Sequence, residues 1–195
     1  MSGALRRALA DPGPRPLPDE AARLLTAVNA PPRLAAHLRA VHDVAADLVA
    51  WVRERHPAAA VDAEAVLFGA AVHDIGKALH PAELSGPGAR HEPAGHALLR
   101  EHGVPERLAR FARTHASWDG PGIGLDDLLV GLADKVWKAK RVPDLEQRVV
   151  DVLAAASGQE PWQVFMDLDD VCDRLAAGAD ERLAFQAAYP VESTA

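Results

Sequence analysis

The adjacent residues His73 and Asp74 offer the two kinds of side-chain ligand from which proteins build sites for transition metals. An imidazole nitrogen combined with hard carboxylate oxygens suits Mn, Fe, Co or Zn. The pair follows an apolar run and is followed by Ile75-Gly76-Lys77. We therefore expect it at the C-terminal end of a buried helix, where it could form the centre of a metal site.

Four further residues of ligand type lie in, or at the ends of, apolar helical segments, where an unpaired polar group would be costly. They are His42, His91, His115 and Asp134. Together with the central pair they make six protein ligands, enough for two ions if one carboxylate bridges them. Asp74 is the natural bridge, because a carboxylate has two oxygens. Two neighbouring ions can hold a hydroxide nucleophile and clamp phosphate oxygens, so the pattern predicts metal-assisted hydrolysis.

The other histidines fit this pattern less well. His96 follows His91 by five residues, which places the two on different faces of a helix, and His91 is the favoured ligand. We expect the remaining four to be solvated or capping residues: His37, His56, His80 and His102.

Several cations lie close to the predicted ligands in sequence. Lys77 comes one helical turn after His73 and could reach a substrate phosphate, although a surface lysine near a helix end is nearly as good an interpretation. Lys135, Lys138 and Arg141 follow Asp134 at helical spacing. A solvated basic face is the simpler interpretation of these three, and the mouth of a site for a polyanion is the alternative.

The composition predicts an all-α fold to position these residues. Apolar residues make up 49% of the 195-residue chain and aromatic residues only 5%. Alanine and leucine favour helices, and the β-branched and aromatic pattern of strands is missing. Apolar residues recur every three or four positions in a long amphipathic helix over 33–55, with His42 at the border of its apolar face. A helix over 63–72 is apolar nearly all round, which predicts a central position.

Shorter helices and loops account for the rest of the chain. Residues 1–18 contain four prolines and are expected to form an arm. Loops are expected over 78–90 and 118–124, because both are rich in glycine and proline. The remaining helices are predicted over 19–29, 92–103, 105–115, 126–141, 144–156, 160–177 and 180–188.

The charge and cysteine content exclude some classes of protein. The net charge of −7 argues against a broad nucleic-acid interface. Cys172 is the only cysteine, which excludes an intramolecular disulfide framework and fits a reducing compartment. The first residues lack the apolar segment of a signal peptide, and no run of about 18 apolar residues could span a membrane. We therefore expect a cytoplasmic protein without nucleic-acid or membrane partners.

Residues 33–142 resemble the HD superfamily of metal-dependent phosphohydrolases, which is named for its His-Asp pair. The resemblance rests on His42, on Val72-His73-Asp74-Ile75-Gly76-Lys77 and on Asp134 in Leu132-Ala133-Asp134-Lys135. It implies a helical bundle with the pair at its centre, preceded by an arm and short helix over 1–32 and followed by a C-terminal helical extension over 143–195. His91 and His115 match the additional ligands of dinuclear branches, among them diadenosine tetraphosphate hydrolases and cyclic-dinucleotide phosphodiesterases. The stretch 118–122 departs from the Gly-Tyr-Pro element of the latter.

These observations lead to the hypothesis of a phosphohydrolase acting on a nucleotide or related phosphate ester. One or two divalent ions (Fe, Mn, Co, Zn or Mg) would activate a water, with Asp74 and Lys77 acting in catalysis. Two alternatives stay open, namely a diiron oxygenase of HD type and a non-catalytic nucleotide-sensing domain. Apolar C-terminal helices could also pair between chains in a homodimer.

Overall fold

The chain is all-helical, as its composition predicts. The computed structural model describes residues 2–191, which contain no β-strand. None of the helices within these residues combines the length and the apolarity that crossing a bilayer requires. The helices are α1 (Gly3–Ala10), α2 (Asp19–Ala27), α3 (Pro32–Arg55), α4 (Ala63–Val72), α5 (His91–Glu101), α6 (Glu106–Ala109), α7 (Phe111–Thr114), α8 (Leu125–Val136), α9 (Pro143–Ser157), α10 (Pro161–Ala177) and α11 (Ala179–Ala187).

Most predicted helices differ from the observed ones by one or two residues at an end, and two differ more. The segment 105–115 forms two short helices, α6 and α7, which are separated at Arg110. The helix predicted over 126–141 ends at Val136, because Ala139 adopts a left-handed conformation (φ 58°). The backbone N–H of Lys140 then donates to the carbonyl of Lys135 at 3.1 Å, which closes the helix end.

Helix α3 is the centre of the bundle. It packs against α1, α4, α8 and α11. Its residues from Leu34 to His42 are all buried, so this part of the helix is surrounded on nearly every side. A histidine on any face of this stretch is therefore removed from solvent.

The N-terminal arm contains a helix and packs on α3. Leu5 and Ala8 of α1 are fully buried. Arg39 of α3 is only 3% exposed. Its guanidinium donates to the carbonyls of Ala8 and Asp11, both at 3.0 Å, and to that of Pro14. These bonds satisfy carbonyls at and after the C-terminal end of α1, where a helix leaves its last acceptors free.

The C-terminal segment closes over the same helix. Arg33, at the start of α3, donates from Nε to the carbonyl of Tyr189 at 2.9 Å. The hydroxyl of Tyr189 in turn donates to Asp11 at 2.9 Å. The two ends of the described chain therefore meet beside the first turn of α3.

Close packing of glycines fixes the position of the His-Asp pair. Helix α4 ends at Val72, and a short 3-10 turn over Ile75–Ala78 follows the pair. A Cβ atom added to Gly76 would lie 2.6 Å from the backbone nitrogen of Gly95, so this turn rests directly on the backbone of α5. Because α5 begins at His91, the contact brings that histidine next to Asp74.

Candidate metal centre

Six buried side chains of ligand type converge around Asp74. A first group consists of His37, His73, Asp74 and Asp134, and a second group consists of Asp74, His91 and His115. Within each group, the ligand atoms all lie within 4.8 Å of one another. Asp74 belongs to both groups.

The first group lies on the Oδ2 side of Asp74. This oxygen is 3.1 Å from Nε2 of His37 and 3.6 Å from Nε2 of His73. Asp134 of α8 closes the group, with its Oδ1 at 3.5 Å from His73 Nε2 and 3.8 Å from His37 Nε2. Residues from α3, α8 and the end of α4 therefore surround one small volume.

The second group lies on the Oδ1 side of Asp74. That oxygen is 3.0 Å from Nε2 of His91 and 3.6 Å from Nε2 of His115. His91 is the first residue of α5, and His115 directly follows α7. The two oxygens of one carboxylate thus face two different sets of histidines.

Hydrogen bonds at Nδ1, the ring nitrogen that faces away from Asp74, set the tautomers of His73, His91 and His115. Nδ1 of His73 lies 2.9 Å from the carbonyl of Ala70, and Nδ1 of His115 lies 3.2 Å from that of Phe111. A carbonyl can only accept, so each Nδ1 carries the proton. Each Nε2 is consequently left with a free lone pair directed at the carboxylates, as in metal-binding histidines.

Glu83 fixes the tautomer of His91 in the same way. Its Oε2 accepts from Nδ1 of His91 at 2.6 Å and from the backbone N–H of His91 at 3.1 Å. Its Oε1 accepts from the backbone N–H of Arg90 at 3.2 Å. One carboxylate thus fixes both the ring of His91 and the first turn of α5. No periodic pattern in the sequence marks Glu83, which lies in the predicted loop over 78–90.

Unsatisfied polar atoms indicate that the two groups fit a divalent cation. Nε2 of His37, His73 and His91 and Oδ1 of Asp74 are buried and have no partner with hydrogen-bond geometry within residues 2–191. The 3.0 Å and 3.1 Å approaches of His91 and His37 to Asp74 are close, but they lack that geometry. Leaving a buried polar atom unsatisfied costs about 1–3 kcal/mol. A cation between these atoms would satisfy them.

The electrostatic environment keeps most of these groups in their ligating forms. Burial lowers the pKa of His115 to about 4 and lowers that of His37 as well, so both rings are neutral near pH 7. Burial alone would raise the pKa of Asp74, but His73, His37 and His91 together bring it well below its usual range. Asp134 is shifted downwards in the same way, mainly by His73. Both carboxylates are therefore ionised.

His91 is the exception among the histidines whose pKa is shifted. Burial lowers its pKa, but contacts with Asp74 and Glu83 outweigh this effect and raise it overall. Two carboxylates therefore flank this ring, one at each nitrogen.

Two lysines neutralise the carboxylates of the site. Lys77 Nζ lies 2.6 Å from Oδ2 of Asp74, and Lys135 Nζ lies 2.6 Å from Oδ2 of Asp134. Both side chains are partly exposed, so the buried ligand groups are bordered by cations. This border is the side from which an anion could approach.

The structure brings together five of the six predicted ligands, but it does not bring His42 to either group. His37 lies in that place instead. The prediction that His37 is solvated or capping is wrong, since it is only 6% exposed. Five residues correspond to a rotation of about 140° around a helix, so the two histidines face different sides of α3. His37 follows Leu34 by three residues and precedes Val41 by four, and this spacing could have identified it.

His42 lies on the side of α3 that faces the N-terminal arm. It is 6% exposed, and burial lowers its pKa to about 4. The nearest charges are those of Asp43, Arg15 and Arg39, and none of them is a candidate ligand. His42 is therefore a neutral histidine of the interior.

The other histidines lie outside both groups. His56 occupies the C-cap of α3 and is fully buried, so the expectation of a capping residue holds for its position and the expectation of a solvated one is wrong. His80 directly precedes the 3-10 turn Pro81–Leu84, and His102 directly follows α5. His96 pairs with Glu106 at 2.9 Å.

Comparison with known protein families agrees with the all-helical fold. The HD domain family matches residues 33–153, which is more than half of the chain. The chain therefore belongs to the HD domain family, whose fold is all-helical. Searches of curated proteins and of solved structures gave no match. The match extends into α9, beyond the boundary predicted after residue 142, and the division into three segments stays a prediction.

Proposed function

We propose that this protein is a metal-dependent phosphohydrolase that hydrolyses a nucleotide or related phosphate ester. The observation that carries the proposal is the orientation of Asp74, whose two oxygens face two separate groups of buried histidines. A carboxylate shared in this way could bridge two neighbouring metal ions, which supports a two-metal centre.

The ligands of the first group would be His37, His73, Asp74 and Asp134, and those of the second group Asp74, His91 and His115. Divalent ions in these places would lower the pKa of a bound water and polarise a phosphoryl oxygen. Mixed imidazole and carboxylate ligands accept Mn, Fe, Co or Zn, whereas Mg prefers ligands that are all oxygen atoms.

The residues of the chain supply positioning and charge. The groups at the Nδ1 atoms hold His73, His91 and His115 in the orientation needed for ligation. Lys77 and Lys135 lie at the border of the site, where their ammonium groups stabilise negative charge that grows on the phosphoryl oxygens. In the reaction, the oxygen of water bonds to phosphorus, the bond from phosphorus to the leaving oxygen breaks, and the leaving oxygen takes up a proton.

Release of phosphate or nucleotide products tests the proposal. The panel contains mono-, tri- and dinucleoside phosphates and cyclic dinucleotides, each with Mn, Co, Fe, Mg or Zn supplied. We expect turnover of at least one class, and we expect its loss in Asp74→Ala together with loss of bound metal. Asp144→Ala is the matched control, because Asp144 is exposed in the first turn of α9 and lies outside both groups.

Three results would contradict the proposal. Full turnover and full metal content in Asp74→Ala would remove the proposed role of the shared carboxylate. If no compound of the panel is hydrolysed and iron-loaded protein takes up oxygen in a substrate-dependent way, an oxygenase would be favoured. Tight nucleotide binding without turnover would favour a sensing domain.

A further inference from the structure

All four lysines of the chain lie at the metal centre or next to it. They are Lys77, Lys135, Lys138 and Lys140, whereas the seventeen arginines are distributed over the whole sequence. A chain that uses arginine almost everywhere for positive charge thus uses lysine at one place only.

The fold brings these four lysines together. Lys77 contacts Asp74, the carboxylate that both ligand groups share, and Lys135 contacts Asp134 of the first group. Lys138 lies within electrostatic range of Asp134, Lys135, Lys140 and Lys77, so it faces the same region. The left-handed conformation of Ala139 turns the chain back at the end of α8 and places Lys138 and Lys140 on either side of this turn.

Two of the four lysines make no direct contact with a carboxylate of the described residues. Lys138 and Lys140 form no ion pair within residues 2–191, and the ammonium group of Lys138 lies 5.6 Å from the centre of the Trp137 ring. Lys77 and Lys135 already balance the two carboxylates one for one. The ammonium groups of Lys138 and Lys140, which are both exposed, are therefore free to contact a ligand.

Stabilisation of the helix end does not explain the choice of lysine. Cations favour the C-terminal end of a helix, but an arginine serves this purpose equally well. Elsewhere the chain uses arginine there, with Arg53 and Arg55 in α3, Arg100 in α5 and Arg174 in α10. Lysine differs from arginine in being a compact point charge on a flexible stem, and it binds phosphate as such a point charge.

We infer that the substrate carries at least two consecutive phosphates, which Lys138 and Lys140 bind outside the metal centre. The inference rests on the proposed function, since it extends the phosphate-binding region of the same site. One phosphate would lie at the ligand groups, beside Lys77 and Lys135, and the adjoining phosphates would lie against the two unpaired lysines. The chain as a whole has a net charge of −7, so this local positive region fits a short phosphate chain better than a nucleic acid.

Binding of a phosphate analogue that cannot be cleaved tests the inference without relying on turnover. Isothermal titration would compare methylenediphosphonate, whose P–C–P linkage resists hydrolysis, with methylphosphonate. A constant excess of Mg²⁺ makes chelation by the probe equal for every variant. We expect the diphosphonate to bind about tenfold more tightly, because two exposed charge contacts of up to about fivefold each contribute at most about 25-fold in affinity.

The double variant Lys138→Ala/Lys140→Ala should remove about tenfold of the affinity for the diphosphonate. Arg53→Ala/Arg174→Ala is the matched control, because it also removes two exposed cations from the last turns of helices. It should change the affinity less than about twofold. If lysine and arginine variants weaken binding equally, or if the diphosphonate has no advantage over the monophosphonate, the inference is wrong.

Failure of the inference can be told apart from failure of the proposed function. Turnover of monophosphates that is lost in Asp74→Ala, with no preference for the diphosphonate, would leave the hydrolase standing and refute the phosphate-chain site. A lysine-dependent preference for the diphosphonate without any turnover would support the binding site and refute the hydrolase.

Discussion

Replacing Glu83 by glutamine is expected to weaken metal binding at the second group while leaving the first group intact. The carboxylate of Glu83 accepts three N–H groups, at 2.6, 3.1 and 3.2 Å. A glutamine side chain offers only one oxygen, so its NH2 group must face at least one of these donors. The ring of His91 would then have at best a neutral amide oxygen in place of a carboxylate, which weakens the contact that holds its Nε2 towards Asp74.

Loss of such a supporting contact typically lowers metal affinity by about 10- to 100-fold, which corresponds to about 1.4–2.8 kcal/mol. Equilibrium dialysis followed by elemental analysis would measure the affinity and the number of bound ions. At a metal concentration that just saturates the unmodified protein, the number of ions bound to Glu83→Gln should fall from two towards one.

Glu106→Gln is the control for Glu83→Gln. Glu106 pairs with His96 at 2.9 Å, so the substitution removes the same charge from the same kind of histidine–carboxylate pair, away from both groups. It should leave metal binding unchanged. Equal stoichiometry and affinity in Glu83→Gln and the unmodified protein would refute the positioning role, and so would an equal loss in the two variants.

Elemental analysis should show that His37→Ala loses the ion of the first group and that His42→Ala keeps it. The opposite result would make His42 the ligand. Burial lowers the pKa of His42 in the folded state to about 4, compared with 6.5 for the free side chain. Between these pH values the unfolded chain binds more protons than the folded one, so the free energy of unfolding falls as the pH drops from 6.5 to 4. Urea unfolding of His42→Gln should show a free energy of unfolding that depends less steeply on pH, by up to about 1.4 kcal/mol per pH unit. An unchanged dependence on pH would contradict the assignment of a neutral buried ring. Gly76→Ala would place a Cβ 2.6 Å from the backbone of Gly95, so we expect a loss of about 3 kcal/mol in stability together with loss of metal, and an unchanged melting temperature would argue against this contact.

The helices could be predicted closely where the pattern of apolar residues is local and regular. The predicted range 63–72 is the observed extent of α4, and the range 33–55 differs from α3 by one residue. Capping by Asp62 and closure after Val72 are short-range effects that the sequence displays directly. The end of α8 was predicted too late, because nothing in the sequence around Ala139 requires a left-handed residue.

The choice between His37 and His42 depends on the rotation of α3 about its axis, which the sequence determines only weakly. Alanines and leucines cover several faces of this helix, so the apolar stripe is too broad to single out one histidine. The role of Glu83 depends on the path of a loop rich in glycine and proline, and such a path follows from tertiary contacts. The His-Asp pair itself could be predicted, because its two ligand types are adjacent in sequence.

The bonds of Arg39 to the N-terminal arm bear on how small an autonomous folding unit this protein can provide. A fragment limited to the family match at residues 33–153 would lack the carbonyls of Ala8, Asp11 and Pro14 and the buried Leu5. Such a fragment would also expose the apolar surface of α3 that Leu5 covers, and burial of one leucine side chain contributes about 1.5–3 kcal/mol. Since whole domains are stable by only about 5–15 kcal/mol, we expect the helix that carries His37 to keep its place only in fragments that retain the arm.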